Sequence, residues 1–216
     1  MSLKNLVLKA LAWSIGAKFV AQIINWAVTL YVIRLLMPED YGLMALANVF
    51  VIVLLALSEL GLGSALVQRE NITLELQKKT FGFVLVVAVV LSGLLVSSAS
   101  FVASYFDSSG LDSILQVMSL SFIIIAFSIV PRALLMREIR FKEQSIVDMC
   151  SSLAGGFVTL AMALSGYGVW SLVIGNLATN LVLAGGFQDC LVALPMVLTK
   201  RVQMLKEQTA QFQCDL

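Results

Sequence analysis

A line of polar side chains crosses the first apolar stretch of the sequence. Its members are Ser14, Lys18, Gln22, Asn25 and Thr29. Their separations of four, four, three and four positions place them on one face of a helix. Small polar groups at such spacing either line a ligand path or hydrogen-bond across helices as packing contacts. Lys18 favours the first interpretation, because no packing role requires an ionised group in an apolar segment.

Two acidic residues are candidates to meet Lys18. Glu59, in the second apolar stretch, lies at a matching depth of roughly 10–12 Å from the same membrane face, at 1.5 Å per helical residue. Asp148, in the fifth stretch, lies nearer that face. These residues predict a charged inner vestibule in which Lys18 offers a cation to an anionic substrate. The alternative is a buried ion pair that only fixes helix register.

A basic connection, PRALLMREIRFKEQS, follows the fourth apolar stretch. Apolar residues alternate in it with basic ones, which is typical of a helix held at an anionic membrane surface. A second interpretation is a cationic lip that gathers a lipid pyrophosphate. The basic residues are Arg132, Arg137, Arg140 and Lys142.

Composition identifies the setting in which these residues act. Of the 216 residues, 60% are hydrophobic and 12% are charged, and the net charge is +1. Mean hydropathy is +0.97. Soluble domains carry about 25% charged residues, so this composition excludes an ordinary soluble globule, a disordered chain and a nucleic-acid binder. The class that remains is a polytopic membrane protein.

Six stretches are long and apolar enough to cross a bilayer, which takes about 20 residues. We therefore predict an all-α bundle of about six transmembrane helices, joined by short polar connections that include MPEDY, QRENITLELQKKT and SGYG. The predicted spans are Leu11–Leu36, Gly42–Val67, Phe81–Ala103, Ser113–Met136, Ile146–Leu164 and Gly168–Gly186.

Every Lys and Arg except Lys18 and Arg34 falls on one side of this arrangement, whereas the opposite connections carry only acidic charges. Because positive residues stay on the cytoplasmic side, we expect both chain termini to be cytoplasmic.

Within the spans, we expect Pro131 to end or kink the fourth helix. Gly155 and Gly156 would permit close helix contact or a bend. Asn176 and Asn180 would brace helices.

Sequence motifs for catalysis are missing. The chain has no His, no phosphate-binding loop, no GxSxG and no HExxH, and its three Cys have a poor spacing for zinc. We predict that the protein is not an enzyme, has no catalytic or metal-binding residues and needs no cofactor.

Four strings, in this order and spacing, resemble the N-terminal half of a Wzx-type lipid-linked oligosaccharide flippase, of the polysaccharide transporter family in the MOP superfamily. The resemblance covers about residues 5–185, and its second string contains Glu59 and Arg69. The strings are RLLMPEDYGLMALA (Arg34–Ala47), SELGLGSALVQRENIT (Ser58–Thr73), VPRALLMREIRFK (Val130–Lys142) and GYGVWSLVIGNL (Gly166–Leu177).

The resemblance implies an inner-membrane protein of lipopolysaccharide, O-antigen or exopolysaccharide biosynthesis. Such a protein moves undecaprenyl-pyrophosphate-linked sugar units to the periplasmic leaflet by alternating access between two six-helix lobes. Its partners would be the lipid-linked substrate, membrane lipids and glycan polymerase or export proteins, and not nucleic acid.

Residues 1–187 are expected to form one lobe, and residues 188–216 a cytoplasmic tail that departs from the family pattern. We expect a truncated gene product, with a fragment or a half-transporter that pairs with a second lobe or a second copy as alternatives.

Two other functions stay open at this point. A cation-coupled antiporter of drugs or small solutes, from the same superfamily, would depend on Glu59 or Asp148. A membrane scaffold of a glycan-export complex would transport nothing and would tolerate loss of charge at Lys18 and Glu59.

Overall fold

The computed structural model describes residues 3–58, 74–108, 110–137 and 140–190. The described chain is helical and has no strand among these residues, so the all-α prediction is confirmed. The helices are α1 (Leu3–Val32), α2 (Pro38–Ser58), α3 (Leu74–Tyr105), α4 (Leu111–Arg137), α5 (Phe141–Leu164) and α6 (Val169–Cys190).

Within the described residues, five helices are long and apolar enough to cross a membrane. They correspond to the second to sixth predicted spans, and α1 contains the first predicted span as far as Val32. Large apolar side chains such as Phe101 and Trp26 lie exposed on the bundle surface, as expected where a protein meets hydrocarbon. The chain is therefore a multi-pass membrane protein.

Two helix boundaries lie at other residues than the polar sequence suggested. Helix α1 ends at Val32, and α2 begins at Pro38, a residue favoured in the first turn of a helix. The string LELQKKT, expected in a connection, forms the start of α3, where Lys79 Nζ and Glu75 Oε1 pair at 2.7 Å one turn apart.

The connection after α4 was wrongly predicted as a surface helix. Helix α4 continues through Pro131 to Arg137, and α5 begins at Phe141. Tertiary packing is the reason, because Ala133, Leu134 and Leu135 are buried against other helices and not free to lie on a membrane. Ala133 and Leu134 pack near Phe81, and Leu135 is fully buried.

Helix α4 is the central helix of the bundle. Half of the residues in its apolar segment are buried inside the bundle, whereas the share is 17–22% in the other four membrane-spanning helices. Helix α3 packs along it, α2 packs against both, and their shared core takes in Val173 of α6. Helices α1 and α5 form the second closely packed pair. The charged and polar side chains discussed below lie along this α1–α5 pair and its neighbours.

Candidate functional site

Helices α1 and α5 run parallel and in contact, with a fixed register. We call this line of contact the α1–α5 seam. Lys18 approaches Asp148, Asn25 approaches Gly156, and Val32 packs with Ala163. Each step is seven or eight residues on either helix, about two helical turns. The predicted polar stripe of α1 thus faces α5 at Lys18 and Asn25, whereas Gln22 and Thr29 are exposed on the bundle surface.

Three charged side chains converge at one end of this seam, and we call them the charge cluster. Lys18 Nζ lies 4.0 Å from Asp148 Oδ2, and Arg132 Nη2 lies 3.9 Å from the same oxygen. The Asp148 side chain is 21% exposed, against 59% for Lys18 and 44% for Arg132. Two partly exposed cations therefore share one recessed carboxylate, which leaves the cluster with a positive charge in excess.

Packing holds Arg132 in this position from the opposite side. Its guanidinium lies over the ring of Phe187, 5.7 Å from the centroid. Phe187 is fully buried and packs with Leu135 and Val147. A cation over an aromatic face is attracted by the negative ring, so α4, α5 and α6 together fix the place of this guanidinium.

The other predicted basic residues lie where α4 ends and α5 begins. Arg137 is the last residue of α4, Arg140 is the N-cap residue of α5, and Lys142 lies exposed in the first turn of α5. Glu59, the predicted partner of Lys18, lies outside the described residues. Asp148, which was expected to join the pair of Lys18 and Glu59, lies within 4.0 Å of Lys18.

An open cavity of about 490 Å³ lies farther along the seam, between α1, α2, α5 and α6, and we call it the polar cavity. Asn25 and Asn176 were singled out from sequence, but most of the lining was not. Asn48 is a lone amide in an apolar helix, a signal that could have drawn attention to it. The polar lining residues are Asn25, Tyr41, Asn48, Ser152, Thr159, Asn176 and Thr179.

Two glycines shape the wall of the polar cavity where α5 crosses α6. A Cβ on Gly155 would overlap Thr179 Oγ1 and lie 2.8 Å from Gly175 O. A Cβ on Gly175 would overlap Thr159 Oγ1 and lie 3.1 Å from Gly155 O. The expected close contact at Gly155 is confirmed, and its pattern is Gly-x-x-x-Thr on each helix, a small-residue motif that sequence analysis missed.

Asn176 and Asn180 of α6 were predicted to brace helices, but the hydrogen bond that they form joins them to each other. Asn180 Nδ2 donates to Asn176 Oδ1 at 3.1 Å, a bond within one helix. This bond uses the side-chain oxygen of Asn176, a residue that lines the polar cavity.

At the opposite end of the bundle from the charge cluster, the Asp40 carboxylate links the start of α2 to the start of α6. Asp40 Oδ1 accepts a hydrogen bond from the Val169 N–H at 3.1 Å, and its Oδ2 accepts one from the Met37 N–H at 3.1 Å. Gly168, with φ of 53°, allows this approach, since a Cβ there would lie 3.3 Å from Asp40 Oδ1. This contact positions α2 against α6 beside the polar cavity.

No group of three or more acidic or cysteine side chains able to hold a metal occurs among the described residues. The described residues thus form a multi-pass membrane bundle with a cationic cluster and a neighbouring polar cavity. The sequence model of the polysaccharide biosynthesis protein family matches residues 31–206. The chain belongs to this family.

Two curated relatives agree with that assignment. The chain is 27% identical over 180 residues to the succinoglycan biosynthesis transport protein ExoT of Rhizobium meliloti (strain 1021), covering 83% of this chain and 36% of that protein. It is 25% identical over 179 residues to an uncharacterized membrane protein in the cps region of Klebsiella pneumoniae, covering 83% of this chain and 37% of that protein. The chain thus spans just over a third of the length of these relatives. No solved structure matches it.

Proposed function

We propose that this chain belongs to a transporter that moves undecaprenyl-pyrophosphate-linked oligosaccharides across the bacterial inner membrane, from the cytoplasmic to the periplasmic leaflet. The charge cluster receives the pyrophosphate end. The observation that carries the proposal is the convergence of Lys18 and Arg132 on one oxygen of Asp148. This convergence leaves an excess positive charge on two partly exposed side chains.

The position of the cluster supports this role. Lys18 lies seven residues after Leu11, the start of the first predicted span, or about 10 Å along the helix. Asp148 lies seven residues after Phe141, the start of α5, or about 10 Å along the helix. The cluster therefore lies near one membrane face. By the distribution of basic residues that face is cytoplasmic, where the lipid-linked substrate would enter.

The arrangement is less suited to a cation-coupled antiporter. Such a transporter needs a carboxylate that is available to an incoming cation or proton. The Asp148 carboxylate is already flanked by two cationic side chains, each within about 4 Å, so it offers a poor site for a third cation.

Exposed polar groups support a further partner within the membrane. Gln22 and Thr29 of α1 lie on the bundle surface, and polar groups facing hydrocarbon are costly. A second lobe or a second copy of the chain would cover them. Export or polymerase proteins for the glycan are proposed as further partners.

Binding of a short polyprenyl pyrophosphate tests the proposal. The full chain, held in lipid nanodiscs, is titrated with farnesyl pyrophosphate and with farnesol. We expect binding of the pyrophosphate only, weakened about tenfold by Lys18→Gln or Arg132→Gln, because each removes a charge-assisted contact.

The matched control is Lys79→Gln, which removes an exposed lysine paired within α3 and should leave the affinity unchanged. Equal affinity for farnesol and farnesyl pyrophosphate would refute the proposal. An equal loss in Lys79→Gln would refute it as well, since the effect would then reflect net charge alone. A scaffold would bind neither probe.

A further inference from the structure

We infer that the polar cavity binds one uncharged, hydroxyl-bearing sugar ring, with Tyr41, Asn48 and Asn176 as its specificity-determining residues. The inference rests on the proposed function and adds to it the cavity and the residues that hold the sugar next to the lipid anchor, and that this sugar is uncharged. It concerns a different part of the bundle from the charge cluster, and different residues carry it.

The lining of the cavity excludes charged ligands. None of the described residues that line it is an Asp, Glu, Lys or Arg. An ionised group that leaves water for such a place would lose its hydration without gaining a counter-charge, which is strongly unfavourable. A neutral polar group meets no such penalty if its hydrogen bonds are replaced.

Three of the residues that line this space carry hydrogen-bonding groups without a partner among the described residues. The Tyr41 hydroxyl oxygen is buried and has no hydrogen-bond partner among the described residues. Asn48 lines the cavity, and Asn176 keeps its amide nitrogen available while its oxygen accepts from Asn180. Amides and a phenol can both donate and accept. A sugar hydroxyl also does both, so it can satisfy either kind of group, whereas a phosphate or carboxylate can only accept.

The dimensions and the remaining lining also fit a sugar. Small-molecule sites usually have volumes of about 300–1,000 Å³, and this open cavity has a volume of about 490 Å³. Met44 and Leu172 add apolar surface for the carbon face of a ring. Gly155 and Gly175 have no side chain, which lets α5 and α6 approach closely where they cross at the cavity wall.

Along the seam, the polar cavity lies about two helical turns from the charge cluster. Asn25, which lines the cavity, follows Lys18 by seven residues on α1, or about 10 Å. Gly155 follows Asp148 by the same interval on α5. A molecule whose anionic group contacts Lys18 would therefore bring the unit next to that group into the cavity.

Ligand-detected NMR on the nanodisc-embedded full chain tests the inference. The probes are the methyl glycosides of glucose, galactose and mannose, with methyl glucuronide as the ionised counterpart and tetramethylammonium as a cation. We expect at least one neutral glycoside to bind. Tyr41→Phe should weaken that binding roughly tenfold, the effect of one lost hydrogen bond to ligand, and Asn48→Leu and Asn176→Leu should weaken it further.

Tyr41→Phe has a built-in check on folding. Because the hydroxyl has no partner in the described chain, its removal should not lower the midpoint of unfolding, whereas a purely structural hydroxyl would. Tyr31→Phe, which removes an exposed hydroxyl on α1, is the matched control and should leave glycoside binding unchanged.

Three outcomes would overturn the inference: no neutral glycoside binds, methyl glucuronide or tetramethylammonium binds as well as the neutral sugars, or Tyr41→Phe binds them like the wild type. Farnesyl pyrophosphate separates this failure from failure of the proposed function. If the pyrophosphate still binds through Lys18 and Arg132, the inference alone is wrong. If the sugars bind and the pyrophosphate does not, the proposed function is wrong.

Discussion

The carboxylate of Asp40 accepts a hydrogen bond at 3.1 Å from the backbone N–H of Val169, a residue 129 positions later in the chain. Its other oxygen accepts from Met37, the residue before α2. One side chain thereby satisfies an otherwise unpaired N–H at the start of two helices, α2 and α6. The strings MPEDYG and GYGVW, which resemble the flippase family, meet through this contact.

Loss of the Asp40 carboxylate should destabilise the bundle. We expect Asp40→Ala to lower the free energy of unfolding by about 2 kcal/mol, because two helix N-termini each lose a charge-assisted hydrogen bond. Asp40→Asn keeps one oxygen acceptor and should lose about half as much. Unfolding by SDS in mixed micelles measures the change. Glu39→Ala, an exposed neighbour in the same helical turn, is the control, and an equal effect there would contradict the assignment.

The crossing of α5 and α6 should not tolerate an added methyl group. Gly155→Ala would place a Cβ against Thr179 Oγ1 and 2.8 Å from Gly175 O, so we expect a loss of about 1–3 kcal/mol from overpacking. Combining it with Thr179→Ala should restore part of the loss.

The same substitution at Gly93 gives the reference for the crossing. A Cβ there meets nothing within 4 Å, and alanine favours the helix by about 1 kcal/mol over glycine. Gly93→Ala should therefore leave unfolding in SDS unchanged or shift it to higher SDS. If both substitutions shift unfolding alike, the two helices do not cross as closely as described.

Neutralising Asp148 should strengthen anion binding. Asp148→Asn removes the negative charge that Lys18 and Arg132 share. We expect affinity for farnesyl pyrophosphate to rise roughly two- to fivefold, a modest gain because both cations are partly exposed and screened by solvent. Added salt should reduce the affinity. Glu75→Gln, at the exposed pair of α3, should have no effect, and a fall in affinity with Asp148→Asn would show that the carboxylate itself helps to bind the probe.

Some features of this protein could be predicted from the sequence because their causes are local. Continuous apolar runs require helices that cross a membrane, since backbone groups in hydrocarbon must bond within the segment. The spacing of Lys18 and Asn25 on one face follows from 3.6 residues per turn. Helix ends were less predictable. Packing against Phe81 and Phe187, and not residue polarity, decides that the basic segment after Val130 extends α4.

The amino-acid sequence alone thus determined that this protein lies in a membrane, that it is helical, and which face of α1 is polar. The tertiary structure decided which partners those residues meet: Asp148 and Arg132 beside Lys18, an amide-lined cavity around Tyr41, and Asp40 at the start of α6. These pairs are far apart in sequence. Whether they meet depends on which helices are neighbours and how each is rotated about its axis, and the packing of the whole bundle sets both.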